Sequence, residues 1–244
     1  GLTGIGLVGS REELVFVPLG GVGEIGMNLG LYGYGPPQDR TWIAVDLGIA
    51  FAGDEAPGAD VIFPDIAFLE EERINLAGIL ITHAHEDHLG AVAYLWDRLK
   101  CPVYATPFTA AVLRRKLSEA GMLERVPLTE VPLSGRFSVG PFDIELITLT
   151  HSIPEPVSLA ITTPLGTVLH TGDWKDDDTP VLGAPTDVAR LKAIGGEGVL
   201  ALVCDSTNAY REGRSPSERE VALEIEDVVR MAKGRVGFTT FSSN

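Results

Sequence analysis

The chain has 244 residues, 45% of them apolar, which is enough to bury a core in one large domain or one and a half. It carries 34 Asp and Glu against 19 Lys and Arg, and a formal net charge of −15 argues against a general nucleic-acid binder, because affinity for phosphate backbones comes from Lys and Arg. No apolar run reaches about 18 residues and the first residues lack a signal-peptide pattern, so we expect a soluble, cytoplasmic protein without membrane partners.

The chain opens with a strand and a glycine-rich loop. Residues 1–10 are uncharged and aperiodic, which predicts a disordered tail, and residues 14–17 begin a strand. Three glycines between residues 21 and 26 then have the spacing of a dinucleotide-binding fingerprint. The glycines and prolines of residues 27–40 predict a hairpin where that fingerprint requires a helix, so we do not expect nicotinamide binding.

A dense polar motif follows the next strands. Residues 41–46 predict a strand ending in Asp46, and a long loop at residues 50–70 leads to apolar residues 79–81, which predict a buried strand. Three of the five histidines lie directly after it, and the motif consists of His83, His85, Asp87 and His88. Because imidazole and carboxylate are the ligands preferred by zinc and similar divalent ions, the motif predicts a metal site.

The spacing of the motif indicates two ions. His83 and His85 are two residues apart, so at the end of a strand their side chains can point toward one ion. Apolar residues at helical spacing begin at Leu89, which places Asp87 and His88 in the first turn of a helix. There they would project sideways as a second pair of ligands.

Two further strands lead to candidate ligands. Residues 142–150 predict a strand that ends at His151, although its apolar alternation slips at Ile147. Residues 156–171 predict a hairpin whose second strand leads to Asp173. Sites in α/β proteins assemble in the loops beyond the carboxyl ends of strands, so His151 and Asp173 are candidate ligands.

The last part of the chain predicts a helix, a strand and another helix. From Asp187 a short helix is closed by the glycines at residues 195–196, and a buried strand at residues 198–204 ends at Asp205. Residues 215–218 predict a capping box that opens the second helix.

The remaining predictions concern the end of the chain and its two cysteines. Residues 235–241 predict a final strand, and the polar triplet Ser242, Ser243 and Asn244 follows that strand. Cys101 and Cys204 lie in apolar, strand-like runs, so both are expected to be free, buried thiols.

These motifs together resemble a known family. A His-x-His-x-Asp-His motif after a strand is similar to the metallo-β-lactamase superfamily, whose members hold one or two zinc ions between two β-sheets flanked by helices. Four further stretches narrow the resemblance to the ribonuclease J family, in the β-CASP group of RNA-processing nucleases. They are residues 18–28, 151–155, 170–175 and 205–209.

The resemblance implies a fold and a domain organisation. We expect an α/β protein with the four-layer αββα sandwich of the metallo-β-lactamase fold and the beginning of a β-CASP domain. The expected parts are the tail at residues 1–10, an incomplete metallo-β-lactamase domain at residues 11–205 and the start of the β-CASP domain at residues 206–244. The family's last ligand histidine has no counterpart here, because no histidine follows His170. Either the chain is a fragment or the second metal site is open on one side, and we expect a fragment because a domain that ended on an apolar strand would leave an unpaired edge.

The resemblance also implies ligands for two zinc ions per full-length subunit. In the family, the first ion takes the counterparts of His83, His85 and His151, the second takes those of Asp87 and His88, and the counterpart of Asp173 bridges both. Asp46 is expected to orient the metal-site loops from behind the ligands. His170 is expected beside the site or in the core, and Asp205 matches the first acidic motif of β-CASP nucleases. A strand-end acid, a core histidine and a strand-end cap are the plain structural alternatives for these three.

The implied function is a zinc-dependent ribonuclease that acts on single-stranded RNA. It would be a 5′-3′ exonuclease with endonuclease activity in RNA maturation and decay, and a homodimer or higher homo-oligomer when full length. Asp87 and Asp173 are expected to bind metal and accept the proton of the attacking water. Ser242, Ser243 and Asn244 are expected to bind a substrate phosphate at a helix N-terminus, where backbone N–H groups need no positive side chain.

Two other functions fit parts of the sequence. A metal-dependent hydrolase of a small ester, thioester or lactam would use the same motif, because one fold hosts many chemistries, and the charge of −15 favours it. A catalytically silent scaffold in an RNA-degrading assembly is the third hypothesis. The Asp205 motif and residues 215–218 favour the nuclease.

Overall fold

Two β-sheets face each other in the structure, a computed structural model that describes residues 11–54 and 56–240. The tail expected at residues 1–10 lies outside the described residues. The strands are β1 (Glu13–Gly20), β2 (Leu29–Gly35), β3 (Thr41–Val45), β4 (Ala50–Phe51), β5 (Val61–Ile62), β6 (Leu76–Leu80), β7 (Val103–Ala105), β8 (Leu128–Glu130), β9 (Arg136–Val139), β10 (Phe142–Thr148), β11 (Val157–Thr163), β12 (Gly166–His170) and β13 (Ala201–Val203). The helices are α1 (Ala67–Glu71), α2 (Glu86–Leu89), α3 (Val92–Leu99), α4 (Pro107–Glu119), α5 (Val188–Glu197) and α6 (Glu218–Met231), with a 3-10 turn at Arg73–Asn75.

The topology brings the ends of several strands to one place. The first sheet has the order β1-β2-β3-β6-β7-β8, and its strands β3, β6, β7 and β8 run parallel. The second sheet has the order β13-β12-β11-β10-β9. The chain leaves β3 at Asp46 and β6 just before His83, and it leaves β10 and β12 shortly before His151 and Asp173. The segments that follow these four strands hold every predicted metal ligand.

Alternating side chains build four layers. On β2 and β3, Leu31 and Ala44 face the helical side with α3 and α4, whereas Tyr32 and Ile43 face the second sheet. This alternation follows from the period of two in an extended chain. On the far side of the second sheet, Ile194 of α5 packs on a small cluster of its own. The expected αββα sandwich is therefore confirmed.

The break in the apolar alternation at Ile147 does not interrupt β10, which continues to Thr148. Leu146 faces the core between the sheets, and Ile147 faces the opposite side, where it packs with Ile194 and Ala160 beneath α5. Residues 143–148 pair with β11 without a bulge. An apolar residue on the outer face of a strand therefore marked the helix that covers it.

The predicted burial of residues 198–204 is also wrong. β13 pairs only with β12 among the described residues, and Leu200 and Leu202 are 58% and 60% exposed. Cys204 is exposed as well, so only Cys101 is the expected buried thiol. An apolar run is buried only where another element packs on it.

Three boundaries near the end of the described chain differ from the prediction. α5 continues through the glycines at residues 195–196 to Glu197 and is capped by Gly198, whose φ of 100° suits a glycine. The capping box of α6 joins Ser217 to Glu220, so the cap lies after the proline and not before it. Residues 235–240 are not in a strand, because no other segment of the described chain pairs with them.

No helix of the described chain is long and apolar enough to span a bilayer.

Candidate metal centre

The His-x-His-x-Asp-His motif leaves the centre of the first sheet. β6 lies between β3 and β7, and Ile79 and Leu80 are buried on its two faces, which is the pattern of a parallel strand covered on both sides. His85 keeps an extended backbone as the residue before α2, and Asp87 and His88 lie in that helix. The predicted placement in the first helical turn is confirmed.

Four side chains converge as the first group, which consists of His83, His85, His151 and Asp173. His85 Nδ1 lies 3.1 Å from His83 Nε2 and 3.2 Å from His151 Nε2. Nitrogens at about 2.05 Å from a tetrahedral zinc would stand about 3.3 Å apart. The distances from His85 to the other two imidazoles are therefore close to those between ligands of one tetrahedral ion.

The second group consists of Asp87, His88 and Asp173. His88 Nε2 lies 3.5 Å from Asp87 Oδ2 and 3.3 Å from Asp173 Oδ1. The other oxygen of the same carboxylate, Asp173 Oδ2, lies 3.6 Å from His151 Nε2 in the first group. Asp173 thus presents one oxygen to each group.

Asp46 supports both His88 and the strand end. Its Oδ1 accepts the N–H of Thr82 at 2.8 Å, and its Oδ2 accepts the Thr82 hydroxyl at 2.9 Å. His88 Nδ1 lies 2.7 Å from the same Oδ2, so Nδ1 donates its proton to Asp46 and Nε2 is the nitrogen that faces the second group. Asp46 has a φ of 65°, a conformation that Asp adopts more readily than most residues.

Protonation of the cluster suits metal binding. Burial lowers the pKa of His83 well below its usual value, and the neighbouring imidazoles lower it further. Burial also lowers the pKa of His151 to about 4, although Asp173 acts against it. Burial would raise the pKa of Asp87 and of Asp173, but their contacts with His88 lower both below the usual value. Neutral imidazoles and ionised carboxylates are the forms that coordinate metal.

His88 differs from the other histidines of the cluster. Burial lowers its pKa, but the charge of Asp46 and the hydrogen bonds to Asp173, Asp46 and Asp87 outweigh burial and hold the pKa well above its usual value. In that state the ring is an imidazolium between carboxylates. A cation in the second group would replace this proton.

Backbone contacts that the sequence did not reveal fix α2. The carbonyls of residues 86–88 accept the N–H groups of Ile49, Asn28 and Leu47 at 2.7 to 3.0 Å. Gly48 is required there, because a Cβ would lie 1.6 Å from one of those carbonyl oxygens. The Asn28 side chain also reaches the second group, with Nδ2 3.3 Å from Asp87 Oδ2 and 3.2 Å from His88 Nε2. Asn28 lies in the stretch of residues 18–28 that contributes to the family resemblance, but nothing in the sequence indicated its contacts with Asp87 and His88.

The other predicted site residues lie around the two groups. His170 lies outside both, with Nδ1 2.9 Å from the Tyr32 hydroxyl, and burial lowers its pKa to about 4. Asp205 borders the centre, where its Oδ1 accepts the N–H and hydroxyl of Thr207 at 2.8 and 2.7 Å. Ser242, Ser243 and Asn244 lie outside the described residues.

Two cavities open on either side of Asp173. One of about 720 Å³ is lined by the glycine-rich loop at residues 20–26 together with Asp87 and His88. The other, of about 1220 Å³, is lined by His151 and by residues 173–179. Both groups are therefore reachable by a ligand.

Paired sheets whose strand ends carry these ligands define the metallo-β-lactamase fold. Residues 41–194 match the family model described as the beta-lactamase superfamily domain. The chain belongs to this superfamily, as its motifs implied.

The chain is similar to curated proteins named Ribonuclease J. It is 60% identical to the one from Sinorhizobium meliloti, over 96% of this chain and 41% of that protein. It is 41% identical to the one from Helicobacter pylori strain 26695, over 96% of this chain and 34% of that protein. The chain thus spans well under half the length of these relatives.

A solved structure shares the fold. A protein of unknown function from Enterococcus faecalis V583 aligns with a TM-score of 0.62 and 15% identity, over 88% of this chain and 57% of that one. This likeness concerns the fold alone.

Proposed function

We propose that this chain carries the metal centre of a ribonuclease that hydrolyses phosphodiester bonds of single-stranded RNA. The observation that carries the proposal is Asp173, which presents one carboxylate oxygen to each group. Two ligand groups around a shared carboxylate suit in-line displacement at phosphorus. Relatives named Ribonuclease J support RNA as the substrate.

Zinc is the ion we assign to both groups. Three imidazoles and one carboxylate form a donor set that zinc prefers, and their nitrogens already have its spacing. When bound, the ions would supply a nucleophile at neutral pH and offset charge on the phosphate.

The protein side chains then have separate tasks. Asp87 and Asp173 would hold the ions, and their carboxylates would accept the proton of the attacking water. Asp46 holds the His88 ring through Nδ1, and Asn28 holds the Asp87 carboxylate. Positioning of this kind is the main contribution of a protein to phosphoryl transfer.

Finer assignments rest on the sequence resemblance. We assign 5′-3′ exonuclease activity with endonuclease activity, in cytoplasmic RNA maturation and decay, to a homodimer or higher homo-oligomer.

We place the end of the first domain at residue 205, supported by the absence of any buried residue in α6 among those described. Ser242, Ser243 and Asn244 stay predicted phosphate ligands, and replacing Ser243 and Asn244 with Ala should raise KM for RNA without changing zinc content.

The deciding experiment sizes the products of the full-length, zinc-loaded protein on 5′-monophosphorylated and 5′-triphosphorylated single-stranded RNA. We expect stepwise shortening with some internal cuts, and loss of both in His83→Ala and Asp87→Ala proteins that keep the circular-dichroism spectrum of the unaltered protein. Near-normal turnover by either variant at saturating zinc would contradict the assignment. A chromogenic lactam and a thioester, assayed in parallel, test the small-molecule hydrolase that the charge of −15 favours. Inert but zinc-bound protein would indicate a scaffold.

A further inference from the structure

An exposed tryptophan lies beside the shared carboxylate. Trp174 directly follows Asp173 and is 46% exposed, whereas Trp42 and Trp96 are 4% and 6% exposed. It lines the same cavity of about 1220 Å³ as His151 and Asp173. A large aromatic side chain is normally well buried, so its exposure next to two ligand groups indicates a surface for a ligand.

The backbone at Trp174 is fixed on both sides. The N–H of Lys175 donates to the Thr150 carbonyl at 2.8 Å, and the Thr150 hydroxyl donates to the Lys175 carbonyl. On the other side, Asp173 is held by its contact with His88. The stacking of a planar ligand on the indole would therefore cost little conformational entropy, because the loop is already ordered.

The charges that line this cavity favour recognition of a ligand by aromatic stacking over recognition by ion pairs. Arg211 and Arg219 line the cavity and form no ion pair with a carboxylate among the described residues. The other two cations of the cavity, Lys175 and Arg214, are paired with glutamates at 2.8 and 2.9 Å. Several carboxylates line the same cavity, so positive charge alone cannot hold a polyanion there. Stacking on an aromatic ring does not depend on net charge.

We propose that Trp174 stacks on a base of single-stranded RNA beside the two ligand groups, with Arg211 and Arg219 near the flanking phosphates. The inference rests on the proposed function, because it takes RNA as the ligand. A stacked base would also explain how so acidic a chain holds RNA near its metal centre. Loss of one such contact weakens binding by roughly 10-fold or more.

The test uses the zinc-loaded, full-length protein and a phosphorothioate-linked single-stranded RNA that resists hydrolysis. Kd is measured by fluorescence anisotropy, and indole emission is followed in the same titration. We expect Trp174→Ala to raise Kd about 10-fold at unchanged zinc content, and Trp174→Phe to retain most of the affinity. We also expect binding to quench indole emission in the unaltered protein more than in the Phe variant. Tyr94→Leu, at an exposed aromatic of α3 outside both cavities, is the matched control and should leave Kd unchanged.

The outcomes separate this inference from the proposed function. If the unaltered protein cleaves RNA while Trp174→Ala binds it as tightly as the unaltered protein, the stacking inference is overturned and the ribonuclease stands. If the Ala and Phe variants lose affinity equally, an aromatic face is not what binds. If the unaltered protein neither binds nor cleaves RNA, both proposals are overturned.

Discussion

The two ligand groups meet at Asp173 but are built differently. The first group gathers four donors from three separate loops. Three of them are imidazoles, and His85 Nδ1 lies 3.1 and 3.2 Å from the nitrogens of the other two. The second group has three donors among the described residues, two of them carboxylates. His88 donates a hydrogen bond to Asp46, and Asp87 accepts one from Asn28. The number of donors favours the first group, whereas the support around the donors is greater in the second.

The largest effect should follow from changing the residue that both groups share. Asp173→Ala removes a ligand from each group, so we expect loss of metal from both and a fall in RNA turnover on the order of 10³-fold or more. Zinc per chain by mass spectrometry of the metal, together with turnover, checks this. Full occupancy of either group in this variant would show that Asp173 does not join them. Asp143→Ala, at an exposed strand position, is the control.

In the unaltered chain, the difference in donor number predicts an order of filling. The first group should bind zinc at least about 10-fold more tightly than the second, because four protein donors satisfy a tetrahedral ion and three do not. Anomalous scattering at the zinc edge, in crystals grown at limiting and at excess zinc, shows which group fills. An occupied second group beside an empty first group would reverse the comparison.

Local patterns predicted much of the fold. The apolar alternation of β10 and the strand-helix boundary at Asp87 depend on residues close in sequence, and both lie where expected. The exposure of β13 was not predictable, because it depends on what packs on Leu200 and Leu202 and not on their own chemistry. The break in alternation at Ile147 could not be explained from the sequence for the same reason, since Ile147 packs beneath α5, which lies far along the chain.

The site shows the same division between local and distant information. All six predicted ligands lie together, because each follows a strand whose end was visible in the sequence. The contacts of Asn28 and Gly48 with α2 join segments far apart in the chain, and no spacing rule indicates them. The family resemblance named the ligands and indicated Asp46 as their support, whereas the contacts of Asn28 and Gly48 became visible only in the structure.

Asp46→Asn tests how far the second group depends on its support. Asn keeps the size and tolerates the φ of 65°, but it cannot hold a protonated Nδ1 of His88 with a charged oxygen. We expect zinc affinity of the second group to fall 10- to 100-fold, roughly the cost of losing such a partner, while the first group changes much less. Competition with a chromophoric chelator measures both affinities. Equal losses in the two groups would mean that Asp46 acts through the strand end at Thr82.

The smallest effect should come from Asn28→Ala, which removes one donor from the Asp87 carboxylate. The substitution also removes the contacts of the same amide nitrogen with the Asp87 carbonyl and with His88 Nε2. The backbone N–H of Asn28 still donates to the Asp87 carbonyl at 3.0 Å, so α2 keeps its place while the side chains of the second group gain freedom. We therefore expect the zinc affinity of the second group to fall by about 3- to 10-fold, below the effect of Asp46→Asn, with no change in the first group. Asn75→Ala, at a partly buried asparagine whose amide bonds Glu72 away from the centre, controls for loss of an amide elsewhere. If Asn28→Ala matched Asp46→Asn, orientation of the carboxylate would matter as much as that of the imidazole. An unchanged affinity would leave Asn28 with only its backbone role in holding α2.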